Sequence, residues 1–192
     1  MAVTPMPGRL AVTLTITRRR LAAVAGLAFG LALAGTVLGA APPAPWAVET
    51  FDPASETQLL LLTNQSRTDA GVTPLDVDAQ LAEIARWRSR DMADRHYFSH
   101  SIPPLGGKVF EVIQARHYCF VLAGENIGWN TYPDAVATAE IQLAFLQSPG
   151  HRANVLSSRW QVLGVGAFKG SDGRKLWTVL FAEPCPPSGR GS

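Results

Sequence analysis

Three short stretches of this 192-residue chain hold the residues best able to do chemistry. "HYFSHS" carries His96 and His100, "AGENIGWN" carries Glu125, and "SPGHRANVL" carries His151. Two imidazoles four residues apart on a helix can face one metal ion. Two imidazoles with a carboxylate can hold a divalent ion with positions left open, or move protons. Each stretch also lies beside a glycine or a turn, where the same side chains can simply satisfy backbone groups. Ser99 and Ser101 flank His100 without a nucleophile-elbow motif, and no H-E-x-x-H occurs. Spacing alone leaves the metal, acid–base and structural readings open.

The elements that must position these residues are legible from period and punctuation. Asp52-Pro53 offers an N-cap and a first-turn proline, so a helix is predicted over 53–69 with Leu59 and Leu62 inside. Gly71 and Pro74 end it. A second helix is predicted over 78–95, with Leu81, Ile84, Ala85 and Met92 on its apolar face and Trp87 at the edge. Arg86, Arg88, Arg90 and Arg95 alternate with Glu83, Asp91 and Asp94 there, which reads as a solvated face. Further helices are predicted over 108–116 and from near 133 to 147, where Ser148-Pro149-Gly150 stops the last one. The period then changes. "QVLGVGAFKG" and "LWTVLFAEP" read as strands joined by the "SDGRK" hairpin turn. Helices first and strands late indicate an α+β fold, with helices on an antiparallel sheet.

The first forty residues differ in kind. Arg9, Arg18, Arg19 and Arg20 precede a long apolar run over 21–40, and no acid occurs before Glu49. That is the pattern of an export signal cleaved after Gly39 or Ala40, with an uncleaved membrane anchor as the alternative. "TRRRLA" also resembles a twin-arginine signal. A Pro-rich linker over 41–52 separates this segment from a domain over 53–184 and a tail over 185–192. Without the four leading arginines, 13 basic residues face 15 acids, a net charge of −2. Nothing in that balance favours nucleic acid. Export makes a Cys119–Cys185 disulfide the expected state, against two isolated thiols.

Taken in order, the stretches resemble the CAP superfamily (the SCP domain of cysteine-rich secretory proteins, antigen 5 and pathogenesis-related 1 proteins), in its bacterial form. "LLTNQSRTDAGVTPLDVDAQL" is similar to the family's N-x-x-R-x-x-x-G-x-x-P-L opening. The likeness continues through "ARWRSRDMADRHYFSHS", "AGENIGWN", "AFLQSPGHRANVLSSRWQVLGVGA" and "LWTVLFA", about residues 54–183. It implies a three-layer α-β-α sandwich with a central antiparallel sheet and a cleft. The family's F-x-H-S histidine falls on His100, its G-E-N glutamate on Glu125 beside Asn126, and its G-H histidine on His151. His96 lies outside the motif. The family's second glutamate, three residues after a helical tryptophan, falls on Ser148 after Phe145, and Glu140 is too far upstream to replace it. Arg67, in the N-x-x-R pattern, is expected to hold loop carbonyls, against a solvated surface role.

The resemblance carries no settled activity. Its members are mostly secreted, some bind sterol or lipid, and a few are proteolytic. The expected function is an exported, non-catalytic cleft protein, periplasmic or extracellular by the Sec or twin-arginine route. It would take a small ligand, lipid or cell-envelope component, and meet a membrane only through an uncleaved N-terminal segment. The candidate cleft residues are His100, Glu125, Asn126 and His151. His100, Glu125 and His151 are also the candidate metal ligands, for a weakly held ion such as zinc, with no cofactor required. The same three would be the catalytic groups of a metal-dependent hydrolase, the first alternative. A purely structural or interaction domain is the second.

Overall fold

The computed structural model describes residues 49–186. The predicted signal and anchor over 1–40, most of the linker and the end of the tail lie outside the described residues. The chain runs β1 (Thr50–Phe51), α1 (Pro53–Asp69), β2 (Asp76–Val77), α2 (Ala79–Asp94), α3 (Val109–Ala115) and β3 (Phe120–Asn130). It ends with α4 (Asp134–Gln147), α5 (Pro149–Leu156), β4 (Val162–Lys169) and β5 (Lys175–Pro184). The sheet order is β1-β4-β5-β3, antiparallel throughout, with β2 pairing parallel to the other end of β4. Among the described residues no helix is long and apolar enough to cross a membrane.

β5 explains the three layers. Successive side chains of a strand point to opposite faces. Trp177, Val179 and Phe181 therefore join Leu59, Ile141, Phe145 and Val155 under α1, α4 and α5. Leu180 and Ala182 join Leu81, Ile84, Ala85 and Ile113 under α2 and α3. Both faces of this strand are buried, so its sequence is nearly all apolar. Two glycines set how closely α2 lies on the sheet. A Cβ on Gly164 would fall 2.3 Å from the Leu81 carbonyl carbon, and one on Gly166 would fall 2.2 Å from that of Ala85. The helix backbone thus rests directly on β4.

The helix ends account for half of the histidines. Asp52 and Asp78 cap α1 and α2, accepting from the Ser55 and Leu81 N–H groups. His96 and His117 follow α2 and α3 at φ 53° and 59°. The next residue after each donates back: Tyr97 N–H to Met92 O, and Tyr118 N–H to Ile113 O. That is the left-handed closing turn more often given to glycine, which Gly71 supplies after α1. His96 is exposed and terminates a helix.

Four expectations need correction. Glu125 does not sit in an irregular turn: "AGENIGWN" lies inside the eleven-residue strand β3. Gly124 and Gly128 face the α4 and α5 layer, where added Cβ atoms would crowd Trp160 and Asn154, or Ile141 and Phe145, at 3.0–3.3 Å. Ser148-Pro149-Gly150 ends α4 but also starts α5, with Pro149 in the first turn. Thr50 and Phe51, read as the end of the linker, pair with Lys169 and Phe168. Arg88 is not on a solvated face; it is fully buried. Cys119 and Cys185 are joined, which ties the residue before β3 to the residue after β5.

Arg67 is also fully buried. It donates to Thr73 O at 2.8 Å, Val155 O at 2.7 Å and Ser157 O at 2.9 Å. It therefore clamps the end of α1 to the following loop and to the end of α5. Burial lowers its pKa, and its Nη2 has no protein partner. Removing it relieves that desolvation but orphans neutral carbonyls, so Arg67→Ala should cost about 2 kcal/mol. An unchanged urea-unfolding midpoint would show that the clamp adds nothing.

Candidate functional site

β3 is an edge strand, and the cleft opens over its middle. Glu125 faces the α2 layer and is almost fully buried. Its Oε1 accepts from Arg88 Nε at 3.0 Å and its Oε2 from His100 Nδ1 at 2.6 Å. Both carboxylate oxygens are thus engaged, and His100 is left with Nε2 as its free ring nitrogen. The His100 side chain is about half exposed. His151, on the first turn of α5, places its ring centroid 6.2 Å from that of His100. Its ring also packs edge-to-face with that of Phe145, centroids 5.2 Å apart.

Arg88 organises this group. Its position follows from the period of α2: Leu81, Ile84, Ala85, Arg88, Ser89 and Met92 are one buried stripe. Beyond Glu125 it donates to Tyr97 Oη at 2.5 Å and to the Ser99 carbonyl, the residue before His100. Tyr97 in turn donates to Asp91. Burial and that bond push the Tyr97 phenol up to about 12, so it stays protonated. One guanidinium therefore fixes both the carboxylate and the loop that presents His100. Sequence reading missed Arg88 and Tyr97. The signal was available, since Arg88 lies four residues from Ile84 and from Met92 on the apolar stripe.

Asn126 departs from its expected place in the cleft. As the next residue in the strand it points to the opposite face from Glu125 and is fully buried. Its Nδ2 donates to His151 O at 3.0 Å, and its Oδ1 accepts from Asn154 Nδ2 at 2.9 Å. Asn154 also donates to Glu125 O, and its own carbonyl accepts from Trp160 Nε1 at 2.8 Å. Asn126 thus aims His151 by holding the first turn of α5. Ser148 stands at the α4–α5 junction, and Glu140 is exposed on α4 away from the imidazoles.

The donor set does not fit the three-ligand metal site that the resemblance implied. Among the described residues no group of three His, Cys, Asp or Glu side chains is placed to share an ion. The reason is chemical: Glu125 already serves Arg88 and His100, so an ion between the rings would find two imidazoles.

Burial, and then His100 beside it, hold His151 below the ordinary imidazole range of 6.5. The unfolded chain therefore takes up this proton first as the pH falls. The contribution of His151 to stability is complete above the unfolded value and declines below it. The urea-unfolding free energy should decrease between about pH 7.5 and pH 5, and His151→Phe should flatten that slope. An identical slope in the variant would contradict the assignment.

Beside the rings the cleft has an apolar wall. A cavity of about 200 Å3 is lined by Phe98, Ile127, Trp129, Ile141, Phe145 and His151. The α-β-α sandwich is that of a solved SCP domain. A profile of the Cysteine-rich secretory protein family (CAP) matches residues 60–181, and the chain belongs to that family. The uncharacterized proteins YkwD and membrane protein YlbC, both of Bacillus subtilis (strain 168), are 33% and 40% identical to it. Each alignment covers 67% of this chain, but 47% of YkwD and 34% of YlbC, so the chain spans half or less of these curated relatives. The crystal structure of an extracellular SCP-domain protein from Bacillus anthracis str. Ames is 36% identical with a TM-score of 0.59. The match covers 69% of this chain and 41% of that one.

Proposed function

We propose that this CAP protein is an exported binding protein whose cleft holds a small cell-envelope ligand without transforming it. The observation that carries the reading is the pairing of a tied carboxylate with an apolar wall. Glu125 is held at both oxygens, by Arg88 and His100, which suits a framework role better than that of a general base. His151 lines the cavity of Phe98, Trp129 and Ile141, with the His100 ring 6.2 Å from it, so a ligand finds polar partners at a tip and apolar contact along its body. Export is supported by the leading basic and apolar segment and by likeness to an extracellular SCP protein. No resident metal is needed for this reading.

The test is to incubate the full chain with a cell-envelope extract, repurify it and identify retained small molecules by mass spectrometry. Wild-type protein should return with an unaltered component, and Ala144→Trp, which fills the cavity, should return without it. A new product whose formation depends on His151 would establish the hydrolase reading instead.

A further inference from the structure

The binding reading leaves the ligand class open, and the open side of β3 narrows it. Only β5 pairs with β3 among the described residues. The backbone bonds fix which β3 residues point outward. Cys185 N–H donates to Cys119 O on the β3 side, while Ala182 O accepts from Gln161 N–H on the β4 side. Odd-numbered residues of β5 therefore bond to β3, in the pairs Asn126–Val179 and Gly128–Trp177. Glu125, Ile127 and Trp129 must aim their N–H and C=O groups at the free edge. Asn154 agrees, since its Nδ2 reaches Glu125 O from that side at 3.2 Å. Ile127, almost fully buried but lining the 200 Å3 cavity, and Trp129, exposed, are left with outward backbone groups and no strand beside them among the described residues.

Those groups lie along a trough. The 200 Å3 cavity at His151 shares Trp129, Ile141 and Ala144 with a second cavity of about 460 Å3 that continues to Tyr132 and Leu143. Its rim carries exposed aromatic surface on Phe98, Trp129 and Tyr132. From Asn126 to Asn130, where β3 ends, the strand spans about 13 Å, room for roughly four extended residues. Native edges are usually blunted by lysine, proline or a bulge. The stretch Ile127-Gly128-Trp129-Asn130 has none of these, and the register shift of β3 lies at its other end, between Phe120 and Leu122.

We propose that an extended peptide adds as a strand to the free edge of β3, lying between that edge and α4 with one end at His100 and His151. This deepens the binding reading and rests on it. An alternating row of donors and acceptors is matched by another peptide backbone, and the aromatic rim can pack against its side chains. Polar termini or side chains at the near end meet the imidazoles.

The probe is a randomised heptapeptide pool passed over the immobilised full chain, with the tightest member resynthesised. Hydrogen exchange of the 15N-labelled full chain supplies the readout. In the free protein the exposed Trp129 amide should exchange fastest and that of the almost fully buried Ile127 more slowly, while those of Asn126 and Gly128, bonded to β5, are protected. The peptide should slow Ile127 and Trp129 at least tenfold. Trp129→Pro removes an outward N–H without touching the β3–β5 ladder, and should weaken binding at least tenfold more than Trp129→Val, which keeps it. The proposal falls if no peptide is retained, or if a retained peptide leaves both amides unchanged. It falls too if both amides are already protected in a concentration-dependent way, which assigns the edge to a second copy of the chain. Binding of chitohexaose at Trp129 with no peptide retained would assign the trough to glycans. An envelope component held through His151 while peptides fail would leave the binding reading standing without this one; retention of neither removes both.

Discussion

Arg88→Ala should destabilise the protein by about 3–5 kcal/mol, because it leaves the buried Glu125 carboxylate without its cation. Two observations support that size. Arg88 is fully buried and Glu125 almost so. The guanidinium also holds Tyr97 and the Ser99 carbonyl, so the loop carrying His100 loses its anchor in the same step. Replacing a buried pair by apolar groups is far less harmful than breaking it. The double variant Arg88→Met with Glu125→Leu should therefore recover much of the loss. Urea unfolding of the single and double variants measures this. A loss below about 1 kcal/mol for Arg88→Ala, the range of exposed ion pairs, would mean that the pair is not a buried one.

Gly166→Ala should be nearly as damaging, by about 3 kcal/mol or more, at the upper end of overpacking costs. The added methyl would meet the backbone of Ala85 and Arg86 at 2.2 Å, and a helix backbone cannot step aside as a flexible side chain can. Moving α2 off β4 would also carry Arg88 away from Glu125, so stability and the cleft should fail together. Gly150→Ala is the matched control. It lies in α5 with nothing within 4 Å of the added carbon, and alanine is the better helix former by about 1 kcal/mol. Thermal unfolding should show a large drop for the first and none for the second. Equal melting temperatures would contradict the close docking of α2.

What could be read from the sequence was whatever depends on local chemistry. Asp52-Pro53 and Asp78 announce helix starts because capping is local. "LWTVLFAEP" announces a buried strand because both of its faces meet helices. β3 was hidden for the same reason turned round. Its even positions carry Gly124 and Gly128 because Trp160, Ile141 and Phe145 come so close, and glycine reads as a turn. α5 was hidden because Pro149 stops one helix and starts the next with only Ser148 between them. Arg88 was misread because charge was given more weight than period; only its partner, 37 residues away on β3, makes the buried position tenable. The pairing of His100 with His151 came from the ordered motifs and not from spacing, since a sheet edge and two helices must meet before those rings do.

A binding cleft of this kind needs Glu125 in its framework and not in a metal centre. Elemental mass spectrometry of the untagged full chain, purified without chelator and compared with Glu125→Gln, tests this most directly. The prediction is divalent metal well below one ion per chain, with no difference between the two proteins. One equivalent of zinc in the wild type, lost in Glu125→Gln, would contradict it.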